Sequence, residues 1–183
     1  AELPLSLVVK KMELVFRQQF LQKDLQLVVS ATPDLVLKVN SDVFLHIILA
    51  NILSNALKFS PPGGEVALTA ISDAGKAEIS VVNRAEKQHR ENLVRISKGA
   101  RGVESRAGTG SETGQGIGSS IVRRFCRLHG IGFSINIGEE SSGNYLDVAS
   151  RLNVPLAACS ELSSGLPHSE TVANAELPTP AVD

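Results

Sequence analysis

The chain of 183 residues lacks the features that mark several classes of protein. It has only two cysteines, Cys126 and Cys159, which lie far apart and have no histidine at metal-binding spacing. This argues against a disulfide framework and a zinc site, and it favours a reducing compartment. No apolar run approaches the roughly 20 residues that a membrane span requires. We therefore expect a cytoplasmic domain, whose parent protein could still be anchored in a membrane.

The chain also lacks an excess of either charge. Its 18 basic and 19 acidic residues give a formal net charge of -1, so the composition does not favour DNA, RNA or an anionic membrane as a partner. It lacks an initiator methionine and a signal peptide, and we expect a fragment or a processed chain. A content of 43% hydrophobic and 20% charged residues is typical of a soluble globular domain.

Apolar periodicity then organises the chain. Residues 3–22 predict an amphipathic helix, and a further helix is predicted over residues 42–59 with Ser41 as its cap. Strands and helices interleave with hairpins up to residue 155, which predicts an α+β two-layer sandwich. Beyond Pro155 the composition shifts to Ala, Ser, Pro, Glu and Thr without a period, which predicts a disordered tail.

The segment HIILANILSNALKFSPPGG predicts a helix with one polar stripe. At about 100° per residue, Asn51, Asn55 and Lys58 fall within a stripe roughly 60° wide, and the apolar residues face a sheet. Two interior asparagines cost about 0.6 kcal/mol each in helix propensity relative to alanine. An amide oxygen can ligate Mg²⁺, and a lysine one turn on can reach a phosphate. The stripe alone is also consistent with the solvated edge of an amphipathic helix.

A glycine-rich segment, GTGSETGQGIGSSIVRRF, precedes another predicted helix. Gly114, Gly116 and Gly118 lie at the start of this helix, where free N–H groups without a neighbouring Cβ suit a phosphate. The segment is not a Walker loop, because no Gly-Lys-Ser/Thr follows, and it is a poor dinucleotide fingerprint, because no strand precedes it. A mobile loop with a glycine-rich hinge is the alternative interpretation.

Together, NILSNALKF and GQGIGSSIV resemble the ATP-binding domain of sensor histidine kinases, which shares a superfamily with gyrase, mismatch-repair ATPases and heat-shock chaperones. PPGGEV and RLHG lie where that family has similar residues. The resemblance covers about residues 5–155. It implies a mixed, mainly antiparallel sheet packed under about three helices, with ATP between the two motif helices and a mobile lid at about residues 99–113.

Carried over to this sequence, the resemblance implies roles for the motif residues. Asn55 would ligate Mg²⁺, and Asn51 and Lys58 would face the phosphates of ATP. The phosphate path would be lined by Gly114, Gly116 and Gly118. Residues 1–22 would be a linker helix from an upstream dimerisation domain, residues 23–155 the ATP-binding domain, and residues 156–183 the tail.

The same resemblance implies the partners. A sensor kinase transfers the γ-phosphate of ATP to a histidine on its own dimerisation domain, and a response regulator belongs to the same signalling system. None of the chain's four histidines lies in a phosphoacceptor motif; they are His46, His89, His129 and His168. We therefore expect no catalytic residue in this fragment itself, with the acceptor histidine on a separate domain.

The stretch VVNRAEK departs from the family pattern, in which the strand ends in Asp-x-Gly-x-Gly. Asn83 keeps an oxygen that can accept a hydrogen bond from adenine but loses the charge. Ala85 adds a methyl group where the backbone should approach the base. Lys87 replaces a glycine that often needs a positive φ, which costs another residue about 1 kcal/mol. Ser97 lies near the place of the usual phenylalanine before the lid.

Two hypotheses remain open from the sequence. In the first, the chain is the catalytic domain of a sensor histidine kinase whose nucleotide binding survives but is weakened on the adenine side. In the second, it is a degenerate kinase-like module that no longer binds ATP and acts as a protein-binding or regulatory domain. Retained Asn55 favours the first hypothesis, whereas Asn83, Ala85 and Lys87 favour the second.

Overall fold

The computed structural model describes residues 1–99, 117–138 and 143–157. Within these ranges the chain forms seven strands and four α-helices in the order β1 (Glu2–Pro4), α1 (Leu5–Gln22), β2 (Gln26–Ala31), β3 (Val36–Lys38), α2 (Ala50–Phe59), β4 (Glu65–Asp73), β5 (Lys76–Glu86), α3 (Arg90–Ser97), α4 (Ile117–Leu128), β6 (Gly132–Ile137) and β7 (Tyr145–Pro155). A π-helical stretch, Val43–Leu49, runs directly into α2, and a 3-10 turn, Lys87–His89, precedes α3. Nearly all of the predicted lid and tail lies outside the described residues.

Five strands form one sheet in the order β2-β4-β5-β7-β6. β2 runs parallel to β4, and every other neighbouring pair in this sheet is antiparallel. β1 and β3 form a separate antiparallel pair. The mixed, mainly antiparallel sheet confirms the predicted α+β sandwich, with the short helix α3 in addition to three longer helices.

The core lies between one face of the sheet and the helices. α1 contributes an apolar side consisting of Leu5, Val8, Met12, Phe16 and Phe20, all buried. The predicted apolar face of the second helix is buried as well, with Ile48, Leu49, Ile52, Leu53 and Ala56. Full burial of one such large side chain stabilises the fold by about 1.5–3 kcal/mol. A smaller group, which we call the second apolar cluster, packs separately and consists of Phe59, Ala85, Leu93, Leu146 and Val148.

The start of the second helix differs from the prediction. Asn40, not Ser41, supplies the cap: its Oδ1 accepts a hydrogen bond from the Val43 N–H at 3.1 Å. The Asn40 carbonyl also accepts from the Phe44 N–H at 2.9 Å, so Ser41 already lies inside the first turn. Asparagine caps helices about as well as serine, and Asn40 and Ser41 are adjacent, so the residue types alone do not distinguish the two positions.

Strand β5 is longer than the segment AEISVVN, residues 77–83, for which the sequence pattern predicts a strand. It continues past Asn83 to Glu86, because the long strand β7 provides partners for every residue up to that point. Lys87 then begins the 3-10 turn. The strain expected at Lys87 is absent, since the non-glycine residues with positive φ in the described part of the chain are Asp24, Asp34 and Ala74.

Candidate functional site

The two motif helices meet at Asn51 and Gly118. A Cβ placed on Gly118 would lie only 2.8 Å from Oδ1 of Asn51 and 3.6 Å from its Cγ. The absence of a side chain at residue 118 therefore allows the start of α4 to pack directly against the polar stripe of α2. The structure thus brings together two residues that the sequence motifs had placed in one site.

The Asn51 side chain is fixed by its own helix. Its Nδ2 donates a hydrogen bond to the Ile47 carbonyl at 2.6 Å. Ile47 lies in the π-helical stretch, where the Ala50 N–H reaches back five residues to the Leu45 carbonyl. π-Helical stretches within helices are frequent at functional sites. The hydrogen bond leaves Oδ1 of Asn51 directed at Gly118.

Asn55 and Lys58 continue the polar stripe along α2. Asn55 is half-buried, and its side chain makes no hydrogen bond to another residue in the described ranges. Lys58 is exposed, and its ammonium group lies 5.6 Å from the centre of the Phe59 ring. The free amide one turn beyond Asn51 therefore lies on the same helix face, as the spacing predicted.

Asn83 lies on the inner face of β5, between the main core and the second apolar cluster. It is only 5% exposed, and its neighbours on the same face are Val81 in the main core and Ala85 in the second cluster. Nδ2 of Asn83 donates to the Arg84 carbonyl at 3.1 Å. Its Oδ1 receives no hydrogen bond from the described residues and therefore remains an acceptor.

Lys23 holds the end of α2 and was not singled out by sequence analysis. Its Nζ donates to the carbonyls of Leu57 and Lys58 at 2.6 and 3.0 Å. These carbonyls lie in the last turn of the helix, where intrahelical partners run out and a positive charge is favourable. The bond joins residues 34 positions apart, so no local pattern could have revealed it.

Arg123 was also missed, and it connects α4 to α3. Its guanidinium group donates to the Ser97 carbonyl and lies 3.5 Å from the Ile96 carbonyl, both at the end of α3. It also lies 5.3 Å from the centre of the Phe133 ring. The arginine therefore fixes the position of α3 relative to α4, the helix that contains Gly118. The sequence offered only a basic residue in an amphipathic helix, which does not reveal such a contact.

The described residues do not form a metal centre of their own. Across the ranges 1–99, 117–138 and 143–157 there is no group of three or more His, Cys, Asp or Glu residues able to hold a metal ion. A single amide oxygen, such as that of Asn55, fits Mg²⁺ only when phosphate oxygens and water complete its coordination. The donor set therefore fits a metal that arrives with a phosphate ligand. Gly114 and Gly116, predicted to line the phosphate path, lie outside the described residues.

These features define a class of protein: an α+β sandwich in which α2, with Asn51 and Asn55, and the first turn of α4, with Gly118, meet over a mixed sheet. A model of the histidine kinase-, DNA gyrase B- and HSP90-like ATPases matches residues 40–156, and the chain belongs to this family. It is 42% identical over 86 residues to histidine protein kinase DivJ of Caulobacter vibrioides, covering 45% of this chain and 14% of that protein.

Solved structures agree on the fold. The mycobacterial sensor histidine kinase MprB superposes with a TM-score of 0.61 at 22% identity, covering 86% of this chain and 99% of that one. Full-length ShkA in complex with AMPPNP gives 0.60 at 18% identity, covering 86% of this chain and 31% of that one. The chain spans between 14% and 28% of the length of the curated relatives it matches. In the described part, no helix is long and apolar enough to cross a membrane.

Proposed function

We propose that the chain is the ATP-binding catalytic domain of a two-component sensor histidine kinase. In this proposal it binds ATP with Mg²⁺ and transfers the γ-phosphate to a histidine on a separate dimerisation domain. The observation that carries the proposal is the direct packing of Asn51 against Gly118, which joins the two motif helices. Phosphoryl transfer requires mainly positioning and charge stabilisation, and both can be supplied by the ends of helices and a few side chains.

In this site, each polar residue would have a separate task. Asn55 would offer its free amide oxygen to Mg²⁺, while Asn51 and Lys58 would face the phosphates together with Gly114, Gly116 and Gly118. Mg²⁺, when bound, would neutralise charge on the phosphates. Asn83 would accept a hydrogen bond from the adenine amino group through its Oδ1. Because Asn83 is neutral where the family has a carboxylate, we propose that ATP is bound weakly.

The wider proposal covers location and partners. The domain would work in the cytoplasm, joined through residues 1–22 to its own dimerisation and phosphoacceptor domain, with residues 23–155 as the ATP-binding domain and residues 156–183 as a tail. A response regulator would receive the phosphoryl group from the parent kinase in a phosphorelay. The isolated chain should not phosphorylate itself, because its histidines lack an acceptor motif. Acid-labile phosphate appearing on histidine in the isolated chain would contradict this.

Calorimetric titration with ATP, with and without Mg²⁺, tests the binding proposal. The unmutated chain should bind ATP more tightly in the presence of Mg²⁺. Asn55→Ala should remove this Mg²⁺-dependent gain without changing the fold, as followed by circular dichroism. Asn136→Ala is the matched control, because Asn136 is exposed on the outer face of β6 and should leave both titrations unchanged. Equal affinity with and without Mg²⁺ in the unmutated chain would refute the role of Asn55.

A second candidate function rests on strand β5. Its ladder with β7 continues without interruption through Arg84, Ala85 and Glu86, and Ala85 stands where the family pattern has its first glycine. A strand paired to this point favours a module that no longer binds ATP and acts as a protein-binding or regulatory domain. Absence of heat from either ATP titration, with a folded chain at high concentration, would support this candidate over the first.

A further inference from the structure

Helix α1 carries a second apolar side that its own core does not use. Opposite its buried side, Leu7, Leu14 and Leu21 recur at every seventh residue and are 40%, 76% and 70% exposed. At about 100° per residue, these three side chains lie within roughly 40° of one another. We call these three residues the leucine stripe. An amphipathic helix with a single partner would place polar residues at these positions.

Charges of one sign flank the leucine stripe. Lys10 and Arg17 lie within about 60° of Leu14 on one side, and Lys11 lies about 60° away on the other. All three are exposed, and none forms an ion pair with another residue in the described part of the chain. The acidic Glu13 lies further round the helix, about 100° from Leu14. The surface around the leucine stripe is therefore apolar and basic.

The leucine stripe also forms one wall of a groove. The groove has a volume of about 480 Å³ and lies between α1 and β2, with Leu14 and Leu21 on its rim and the side chains of Phe16, Phe20, Leu25 and Leu27 lining it. Lys10, Arg17 and Glu13 also line it, so two basic groups and one acidic group border the groove. β2 is the edge strand of the sheet, so no further strand in the described part of the chain covers this side. The surface is therefore concave beside the stripe, and it can enclose apolar side chains of another helix.

We propose that the leucine stripe and the adjoining groove bind an amphipathic helix of a partner protein, with apolar residues at seven-residue spacing and acidic residues beside them. Paired helices that stay in register have apolar residues at two positions of each seven-residue repeat, and the leucine stripe supplies one of these positions. With its 18 residues, α1 offers a contact of about 27 Å. Acidic side chains on the partner would pair with Lys10, Lys11 and Arg17. The proposal is independent of nucleotide binding.

Two other occupants fit the surface less well. A second copy of the chain, packed antiparallel about Leu14, would bring Lys10 of one copy against Arg17 of the other. An anionic membrane would attract the basic residues and the leucines, but a flat surface would leave the groove empty. A partner helix uses the leucines, the charges and the groove together.

Binding of synthetic peptides to the full chain tests the proposal by fluorescence anisotropy. Two helical peptides of about three heptads carry leucine at every seventh position, with glutamate beside it in one and lysine in the other. The acidic peptide should bind about tenfold more tightly than the basic one, which is the combined effect expected of a few surface ion pairs. Arg17→Glu should lower the affinity for the acidic peptide and raise the affinity for the basic peptide.

Control variants distinguish binding at the proposed surface from nonspecific hydrophobic binding. Leu14→Ala should lower the affinity for the acidic peptide several-fold, because roughly one buried side chain is lost from the contact. Leu128→Ala should leave that affinity unchanged, because Leu128 is also exposed, at 68%, but lies on α4. Equal affinity for both peptides, or no binding of either, would overturn the proposal. So would Leu14-dependent binding to phosphatidylglycerol vesicles, or Leu14-dependent dimerisation in sedimentation, without a preference for the acidic peptide.

Discussion

Adding one methyl group at Gly118 should test how the two motif helices are coupled. In Gly118→Ala the new Cβ would lie 2.8 Å from Oδ1 of Asn51, closer than side chains approach in folded proteins. The Asn51 amide is the end of a flexible side chain, so it should rotate away. In doing so it gives up the hydrogen bond from its Nδ2 to the Ile47 carbonyl. The substitution should therefore act through Asn51.

The size of the effect follows from three contributions. Losing the Asn51 hydrogen bond costs about 0.5–1.5 kcal/mol, and a displaced rotamer costs about as much again. Alanine in place of glycine in a helix raises the free energy of unfolding by up to about 1 kcal/mol. Gly118→Ala should thus lower the free energy of unfolding by about 0–2 kcal/mol in the unmutated chain. In the Asn51→Ala background it should raise that energy by up to about 1 kcal/mol, because only the helix propensity remains.

Urea denaturation of the unmutated chain, both single variants and the double variant gives the coupling energy, expected at about 1–3 kcal/mol. Gly130→Ala is the control: no atom of the described residues lies within 4 Å of its added Cβ, and its cost comes from φ +65 alone. That cost, about 1 kcal/mol, should be the same with and without Asn51. If Gly118→Ala has the same effect in both backgrounds, Asn51 and Gly118 are not in contact and the reasoning fails.

Three further predictions concern residues around the site. Arg123→Met should lower the free energy of unfolding by about 1.5–3 kcal/mol, since α3 loses a charged donor, whereas exposed Arg124→Met should change it by less than about 0.5 kcal/mol in the same urea assay. Burial raises the pKa of the Cys126 thiol from 9.0 to about 11, so the stability that the neutral thiol contributes below pH 9 should be lost as the pH rises through 11. The Tm of Cys126→Ala should therefore fall less steeply between pH 9 and pH 11 than the Tm of the unmutated chain, and parallel plots of Tm against pH for the two proteins would contradict this. Asn83→Asp should destabilise the nucleotide-free domain, because a carboxylate cannot donate a hydrogen bond to the Arg84 carbonyl. The same substitution should raise the ratio of ATP affinity to GTP affinity in paired titrations. An unchanged ratio would mean that residue 83 does not read the base.

Helices with a strong period were predictable because their signal is local. The buried and polar faces of α2 follow directly from apolar spacing, and the positions of Asn51 and Asn55 on the polar face required no tertiary information. The π-helical stretch before α2 was not predictable in this way, since it keeps the same residues buried while changing the hydrogen-bond pattern. Periodicity thus predicts which faces of the helix are buried and polar, but it does not predict the hydrogen-bond pattern of the helix backbone.

Contacts between distant parts of the chain were beyond the sequence pattern. Lys23 and Arg123 are ordinary basic residues in the sequence, and their roles arise only when α2 and α3 end beside them. The length of β5 was likewise decided by β7, which pairs with it up to Glu86. In each case a partner far along the chain determined the local structure.

The departures from the family pattern at Asn83, Ala85 and Lys87 are not equivalent once the fold is known. Lys87 carries no backbone strain, because its φ is not positive. The methyl group of Ala85 is 0% exposed and belongs to the second apolar cluster with Phe59 and Leu93, so it adds to the packing of the domain. Ladder hydrogen bonds lie in the plane of the sheet, so pairing with β7 leaves the inner face of β5 directed at the helices. Of these three positions, only Asn83 then presents a changed polar group between the two clusters. Any weakening of nucleotide binding that originates in this stretch should therefore arise at residue 83.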